Sequence, residues 1–339
     1  GGITLDFSAN TNPLGTPPGV LEAVCRALPQ LYRYPDPYCR RLVQAIAGHE
    51  QVPASYILCG NGAADLIYAY CTALRPRMAV ELAPTFAEYG SGLAQVGCRV
   101  ERYFLHQAQN FDLDERFLSF LEEKKPEVVF LCNPNNPTGR LIPLLLLEQI
   151  LQYCAAQGAR LFLDECFLDL TEDGVSARSL LASHPALLIL KAFTKSYGMA
   201  GIRLGYCLCA DNALLHDMAA TSPPWNVSSP AQSAGVAALA ERDFLQRTLS
   251  LVRTERRWLT DNLTALGFWV CPSHANYLLF RGPLGLREGL LQQGIAIRGC
   301  GNYNGLDDGW YRIAVRPHGE NEALITAIRQ FCKEKSLWQ

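Results

Sequence analysis

Lys195 lies between a hydroxyl residue, Thr194, and a run of small residues that leads to Arg203, eight positions further along the chain. A lysine amine can bond covalently to an aldehyde, a threonine hydroxyl can hydrogen-bond to a phosphate, and a planar guanidinium can grip the same phosphate. These three side chains could therefore hold a phosphorylated aldehyde cofactor. A solvated lysine at a strand end, followed by a structural arginine, would give the same pattern. Other parts of the chain must therefore distinguish a cofactor site from a structural strand end.

Two further stretches could bind parts of such a cofactor. The sequence Gly-Asn-Gly-Ala-Ala at 60–64 opens a predicted helix, where Gly62, Ala63 and Ala64 would leave backbone amides free for an anion. Small residues are, however, common at helix starts. Phe86 follows another predicted strand, where it could stack on the cofactor ring or simply pack in the core.

Polar residues follow two apolar segments of the chain. Asn136 belongs to an Asn-Pro-Asn-Asn-Pro-Thr-Gly cluster at 133–139, and its amide could donate to an oxygen on the cofactor ring, unless the cluster is a plain turn. Asp164 follows the apolar residues 161–163 and could pair with a protonated pyridine nitrogen, which keeps the ring an electron sink. An acid at this position could equally cap a helix.

The elements that carry these residues predict the α/β class. Apolar strands alternate with segments of helical spacing, which indicates a mostly parallel sheet between helices. Ligands of such sheets bind at the carboxyl ends of the strands, and the candidate residues all follow strands. The predicted strands cover 57–59, 78–82, 100–104, 128–132, 160–163, 186–190 and 206–208.

The chain is long enough for two domains. We expect an N-terminal arm at 1–30 that packs with the second domain, a large cofactor-binding domain at 31–229 and a smaller α+β domain at 230–339. The smaller domain would contain a long helix at about 230–266, strands at 275–281 and 311–315, and a closing helix at 320–335.

Bulk composition excludes several classes of partner. The net charge of −2 argues against nucleic acid and anionic membranes, and no signal peptide or membrane-length apolar run is expected. The 13 cysteines are scattered, without a CxxC pair or a Cys/His spacing typical of zinc, so no metal is expected. Buried reduced thiols in a cytoplasmic protein explain them better than a disulfide scaffold does.

Taken in order, these motifs resemble those of fold-type-I pyridoxal-phosphate enzymes of the class I/II aminotransferase superfamily. The resemblance extends from residue 12 to residue 316 and is strongest at 135–139 and 194–205. It implies pyridoxal phosphate as the cofactor, bonded to Lys195. It also implies a homodimer in which a tyrosine from one subunit reaches the cofactor phosphate of the other, and Tyr34, in Arg-Tyr-Pro, matches that tyrosine.

Two branches of the superfamily are most similar: the histidinol-phosphate aminotransferases and the threonine-phosphate decarboxylases of cobalamin biosynthesis. The decarboxylases resemble this chain in having a phenylalanine three residues after the pyridine-pairing aspartate, here Phe167, where aminotransferases usually have tyrosine. The segments 6–15 and 298–307 also resemble the decarboxylases. The resemblance therefore implies decarboxylation of L-threonine O-3-phosphate to (R)-1-amino-2-propanol O-2-phosphate, with histidinol-phosphate aminotransferase as the alternative.

Charge counting favours the same branch. Strand alternation places Arg312 and Arg316 on one face, and Arg298 adds a third guanidinium. Threonine phosphate carries a carboxylate and a phosphate, whereas histidinol phosphate has only the phosphate. We expect Arg312 to orient the carboxylate, and Arg298 and Arg316 to hold the phosphate, unless Arg316 merely ends the strand in solvent. Further substrate contacts are expected from Asn136 and from the arm: Asn12, Leu14 and Gly15.

Overall fold

The computed structural model describes residues 2–335, through most of which strands and helices alternate. The strands are β1 Leu5–Asp6, β2 Ile57–Gly60, β3 Met78–Ala83, β4 Arg99–Phe104, β5 Val128–Cys132, β6 Arg160–Asp164, β7 Leu187–Ala192, β8 Gly205–Cys209, β9 Trp269–Val270, β10 Tyr277–Arg281, β11 Ile295–Ala296, β12 Arg298–Gly299 and β13 Trp310–Ala314. The helices are α1 Pro18–Ala27, α2 Arg40–Glu50, α3 Ala63–Leu74, α4 Glu88–Gln95, α5 Arg116–Lys124, α6 Leu144–Gln157, α7 Phe193–Ser196, α8 Asn212–Thr221, α9 Ser229–Ala240, α10 Phe244–Ala265, α11 Leu286–Gln292 and α12 His318–Glu334.

A seven-stranded sheet has the order β2-β8-β7-β6-β5-β3-β4. Its strands from β4 to β7 pair in parallel, whereas β8 runs antiparallel to both β2 and β7. Every strand predicted for this sheet is present, with ends within two residues of the prediction. The predicted mostly parallel α/β sheet is confirmed.

Helices cover both faces of this sheet. Phe130 of β5 packs in one apolar core with Ile67 of α3, and the preceding Val129 packs in a second core with Ile150 of α6. Since neighbouring residues of a strand face opposite sides, both faces are buried. This explains why the central strands are continuous apolar runs in the sequence rather than alternating ones.

A second, antiparallel sheet has the order β12-β13-β10-β9 and contributes to a third core. That core contains Phe280 of β10, Ile328 of α12 and Phe7 of the N-terminal arm. The arm also adds β1 alongside β11. The domain limits 1–30, 31–229 and 230–339 stay a prediction, and Gly1 and residues 336–339 lie outside the described residues.

The predicted helix at 230–266 is wrong, because it is two helices with a break at 241–243. Ala234 of α9 is buried in a core that includes α2, whereas Leu259 and Leu263 of α10 are buried in the core of the second sheet. Phe244, at the start of α10, is also buried in the first of these cores, so α10 contributes to both. No helix among residues 2–335 has the length and apolar character needed to cross a membrane.

Candidate active site

A cavity of about 310 Å³ opens at the carboxyl ends of the central strands, between the two sheets. Most of the predicted site residues line it: Ala63, Ala64, Phe86, Asn136, Asp164, Thr194, Lys195, Arg203, Arg298 and Arg312. The wall also contains residues for which no binding role was predicted, namely Ser8, Ala9, Asn10, Cys132, Cys166, Phe167, Ala192 and Tyr303. The structure thus brings residues from distant parts of the sequence into one pocket.

Lys195 lies on α7, a single helical turn that follows β7 directly. Its Nζ lies 5.7 Å from the centre of the Phe167 ring. Burial lowers the pKa of Lys195, and the positive charges of Arg312 and Arg203 lower it further. More of the amine is therefore neutral, and the neutral amine is the form that attacks an aldehyde.

Asp164 ends β6 and is buried. It accepts a hydrogen bond of 2.6 Å from the hydroxyl of Tyr89 and one of 2.9 Å from the backbone amide of Cys166. Burial raises the pKa of Asp164, although these two hydrogen bonds and the charge of Lys195 act in the opposite direction. A buried carboxylate of this kind needs a cationic partner, which a protonated pyridine nitrogen would supply.

The role of Tyr89 was missed by sequence reasoning. Tyr89 lies in the first turn of α4, and Phe86 lies just before that helix. The two rings contact each other edge to face, with centroids 5.6 Å apart. Phe86 lines the cavity while Tyr89 reaches Asp164.

The amino end of α3 and Arg203 form a tight concave corner. Gly62 precedes the helix with a φ of +84°, and a Cβ built there would lie 2.7 Å from Nη2 of Arg203. Only glycine suits this position, both for its backbone conformation and for the close approach of the guanidinium. The first amides of α3 have no acceptor within the helix, so this corner offers donors and positive charge to an anion.

The side-chain amides of Asn135 and Asn136 hold the Asn-Pro-Thr-Gly turn in place. Asn135 accepts from the hydroxyl of Thr85 at 2.8 Å and donates to the carbonyl of Pro84 at 3.0 Å. Asn136 accepts a hydrogen bond from Arg312 through Oδ1, which leaves its amide hydrogens to donate into the cavity.

Two arginines face each other across neighbouring strands of the second sheet. Arg298 of β12 is directly opposite Arg312 of β13 in the antiparallel register. Like charges in such a pair repel each other. An anion between them would relieve the repulsion, so this pair indicates an anionic ligand.

Unpartnered polar atoms lie beside the arginine pair. Among residues 2–335, the buried side chain of Asn10 has no hydrogen-bond partner for either its oxygen or its nitrogen, and Nε of Arg312 has none. Arg312 is otherwise held by a 3.0 Å hydrogen bond from Nη2 to the carbonyl of Ser8. Buried polar groups normally find partners, so these atoms point to a polar ligand in the cavity. Asn10 escaped sequence reasoning because the irregular arm has no periodicity.

The structure does not bring Arg316 to the cavity wall. Strand β13 ends at Ala314, two residues before Arg316. The Nε of Arg316 donates to Glu320 at 2.9 Å. Arg316 therefore pairs with a residue of α12 and does not line the cavity beside Arg312, contrary to expectation.

The predicted arm residues also lie outside the cavity lining. Asn12 is buried and donates to the carbonyl of Ser196 at 2.7 Å and to the hydroxyl of Thr248 at 2.8 Å. Leu14 is partly exposed, and Gly15 donates to the carbonyl of Asn12. Residues 8–10 take their place on the wall. Asn12 thus fixes the arm beside α7.

Tyr34 lies on the surface, away from the cavity of its own chain. It is 79% exposed, and its ring centroid is 4.8 Å from that of Trp225, which is 45% exposed. A large aromatic side chain this exposed is available to a second subunit.

The cavity residues fit a phosphorylated pyridine aldehyde. The corner at Gly62 and Arg203 would receive the phosphate. Within residues 2–335, the hydrogen bonds to the carboxylate of Asp164 come from Tyr89 and the Cys166 amide and from no cation. Lys195, with its lowered pKa, completes the set of groups that such a cofactor requires.

Comparison with known proteins agrees with this geometry. Residues 3–331 match the family described as aminotransferase class I and II. A threonine-phosphate decarboxylase of Salmonella typhimurium is 40% identical over 331 residues, which is 96% of this chain and 90% of that protein.

Solved structures extend the agreement to the fold. A histidinol-phosphate aminotransferase from Clostridium acetobutylicum superposes with a TM-score of 0.91 at 28% identity, over 97% of this chain and 99% of that one. An L-threonine-O-3-phosphate decarboxylase from Porphyromonas gingivalis gives a TM-score of 0.86 at 26% identity, with the same coverage. The fold-type-I architecture is confirmed, and the chain belongs to the aminotransferase class I and II family.

Proposed function

We propose that the protein decarboxylates L-threonine O-3-phosphate to (R)-1-amino-2-propanol O-2-phosphate for cobalamin biosynthesis, with pyridoxal phosphate as cofactor. The observation that carries this proposal is the pairing of Arg298 with Arg312 on the wall of the cavity that contains Lys195. A small substrate with a phosphate and a carboxylate would neutralise both guanidinium groups. The Salmonella typhimurium relative, which bears the name of this activity, supports the same reaction.

Residues of the large sheet hold the cofactor in this proposal. Pyridoxal phosphate, when bound, withdraws electrons from the substrate Cα and stabilises the charge left there when CO₂ departs. Lys195 would bond to the aldehyde, Asp164 would pair with the ring nitrogen, Asn136 would donate to the ring oxygen and Phe86 would stack on the ring. The phosphate would be held by Gly62, Ala63, Ala64, Thr194 and Arg203.

Residues of the second sheet and the arm hold the substrate. Arg298 and Asn10 bind its phosphate, and Arg312 orients its carboxylate. Arg312 would hold the substrate carboxylate in the orientation that favours loss of CO₂ over loss of the Cα proton. The substrate ammonium group would displace Nζ of Lys195 from the aldehyde and pass a proton to it, and Lys195 would return that proton from Nζ to Cα once CO₂ has left. Arg316 and the arm residues Asn12, Leu14 and Gly15 have no role in this scheme, because they do not line the cavity. Arg316 pairs with Glu320, and Asn12 donates to Ser196.

The alternative is an aminotransferase that acts on histidinol phosphate, which the Clostridium acetobutylicum structure favours by its TM-score. Histidinol phosphate has no carboxylate and would leave one of the paired guanidinium groups without an anion in the first half-reaction, whereas both carboxylates of 2-oxoglutarate could pair with them in the second. Phe167 also lacks the phenol that the aminotransferases usually carry at this position.

The deciding experiment mixes the purified protein with pyridoxal phosphate and L-threonine O-3-phosphate, without any keto acid, and follows the release of CO₂. Stoichiometric CO₂ and aminopropanol phosphate are expected. If no CO₂ forms and 2-oxoglutarate instead accepts the amino group of histidinol phosphate, the protein is an aminotransferase.

We also propose that the active form is a cytoplasmic homodimer in which Tyr34 reaches the cofactor phosphate of the partner subunit. The exposure of Tyr34 and Trp225 supports the dimer. Buried thiols such as Cys132, Cys166 and Cys207 suit a reducing compartment.

A further inference from the structure

Arg298 borders more open space than Arg312, the arginine directly opposite it. It lines the 310 Å³ cavity and also borders two neighbouring cavities of about 400 and 540 Å³. Arg312, by contrast, is buried and donates to Ser8 and Asn136. Repulsion from Arg312, directly opposite, would push the guanidinium of Arg298 toward the open space on either side.

Two residues of the following turn hold Arg298 in place. Its Nη2 donates to the side-chain oxygen of Asn302 at 3.1 Å, and its Cζ lies over the ring of Tyr303 at 5.6 Å. The face of a tyrosine ring attracts a guanidinium at this distance. Tyr303 also lines the cavity, so it holds the arginine beside the proposed substrate.

The turn that carries Tyr303 is itself fixed to the large sheet. The amide of Tyr303 donates to the carbonyl of Cys300 at 3.0 Å, and Cys300 is fully buried. Gly305 has a φ of +85°, and a Cβ built there would lie 3.2 Å from Phe104 and 3.4 Å from the carbonyl oxygen of Ala83. A half-buried ring on an anchored turn can therefore fix the direction of the Arg298 side chain.

We propose that Tyr303 is a positioning residue: its ring holds the Arg298 guanidinium toward the substrate phosphate and thereby sets the affinity for phosphorylated substrates. This inference rests on the role of Arg298 in the proposed function. Because the phosphate does not react, the contact is equally strong in the ground state and the transition state. Loss of the ring should therefore raise KM and leave kcat unchanged.

The test measures KM and kcat of the holoenzyme for L-threonine O-3-phosphate in Tyr303→Leu and in the matched control Tyr303→Phe. Tyr303→Leu should raise KM about 3- to 30-fold with kcat within about twofold, the range that a cation–π contact supports. Tyr303→Phe keeps the ring and should keep KM within about twofold. A preserved kcat also shows that the variant is folded. An unchanged KM in Tyr303→Leu, or an equal loss in Tyr303→Phe, would overturn the proposal.

A double-mutant cycle tests whether Tyr303 acts through Arg298. In an Arg298→Ala background, the further change Tyr303→Leu should alter KM by less than about twofold. A full additional increase in KM would overturn the proposal, since the ring would then act independently of the arginine.

A binding measurement separates this proposal from the proposed function. If the wild-type protein releases no CO₂, the proposed function has failed, and Tyr303 is then tested by calorimetric titration of the holoenzyme with inorganic phosphate. Weaker phosphate binding in Tyr303→Leu than in Tyr303→Phe would sustain the positioning role. Equal affinities in the two variants would reject it.

Discussion

At the scale of single residues, most of the residues that line the cavity could be predicted from the sequence. Lys195, Asp164, Asn136, Thr194 and Arg203 were predicted from their types and their places after strands, and all of them line one pocket. Local chemistry sufficed for these residues because parallel strands deliver their carboxyl ends to one edge. The prediction for Arg316 failed because its guanidinium pairs with Glu320 in the first turn of α12, a contact that strand alternation does not reveal.

Arg312, on β13, and Arg316, just after that strand, give the first prediction. Arg312→Ala should lower kcat for CO₂ release about a hundredfold or more, because the carboxylate loses the group that orients it. Arg316→Ala is the matched control and should stay within about threefold, since a partly exposed pair with Glu320 contributes little. The measurement is the initial rate of CO₂ release at saturating substrate for both variants. Normal turnover by Arg312→Ala would show that another group orients the carboxylate.

Phe167 gives a second prediction at this scale. Its ring contacts Tyr277 edge to face at 5.0 Å, beside Lys195. Phe167→Tyr adds a hydroxyl next to the reacting groups, and we expect amino transfer to 2-oxoglutarate to rise about 2- to 10-fold relative to CO₂ release, the range of one hydrogen bond. Both products are quantified from one reaction mixture. Phe167→Leu is the control without a hydroxyl, and the same product ratio in both variants would remove any link between this position and reaction type.

At the scale of elements, β7 shows what a sequence pattern cannot reveal. The apolar run predicted a strand at 186–190, but the strand continues through Lys191, which is buried. Lys191 lies 3.1 Å from Glu50 at the end of α2 and 2.9 Å from Asp169. A charged residue normally ends a buried strand. Here Glu50 and Asp169 compensate the charge of Lys191, and their distance along the sequence means that no local pattern predicts the contact. The break between α9 and α10 escaped prediction for a similar reason, because the two cores that these helices serve are tertiary features.

This buried ion cluster gives the third prediction. Burial alone would raise the pKa of Glu50, but Lys191, Tyr206 and Arg178 together lower it to about 2, from an ordinary value of 4.5. A carboxyl whose folded pKa is depressed stabilises the protein above its unfolded pKa, and this contribution is lost as the pH falls through the folded pKa. Glu50→Gln should therefore reduce the free energy of unfolding near neutral pH by about 3 kcal/mol. The variant should also show a flatter decline in stability between pH 4.5 and about 2.

Urea unfolding at a series of pH values measures both effects. The control is Glu127→Gln, which breaks a pair with Arg77, itself 91% exposed, and should change stability by less than about 1 kcal/mol. A decline with falling pH as steep in Glu50→Gln as in the wild type would show that Glu50 does not carry the acid sensitivity.

At the scale of the whole molecule, the chain exposes aromatic side chains that a single subunit does not use. Tyr32 and Tyr38 are each 74% exposed and lie close in sequence to Tyr34, whose ring contacts Trp225. Monomeric proteins rarely expose clusters of this kind, so they mark an interaction surface. The resemblance to a family implied the proposed dimer, whereas composition gave no sign of it, because a subunit interface resembles ordinary surface in bulk composition.

Exchange of subunits between two defective variants gives the last prediction. Tyr34→Ala should lower activity about tenfold or more, because the cofactor phosphate loses a charge-assisted hydrogen bond, and Lys195→Ala should abolish activity. In a mixed dimer, the site with an intact Lys195 receives the intact Tyr34 of its partner. Mixed dimers, isolated with two different affinity tags, should therefore regain about half of the wild-type activity per dimer. Dimers that carry Lys195→Ala in both subunits are the inactive control. If mixed dimers stay as weak as the Tyr34→Ala parent, Tyr34 serves the site of its own chain and the shared-site arrangement is wrong.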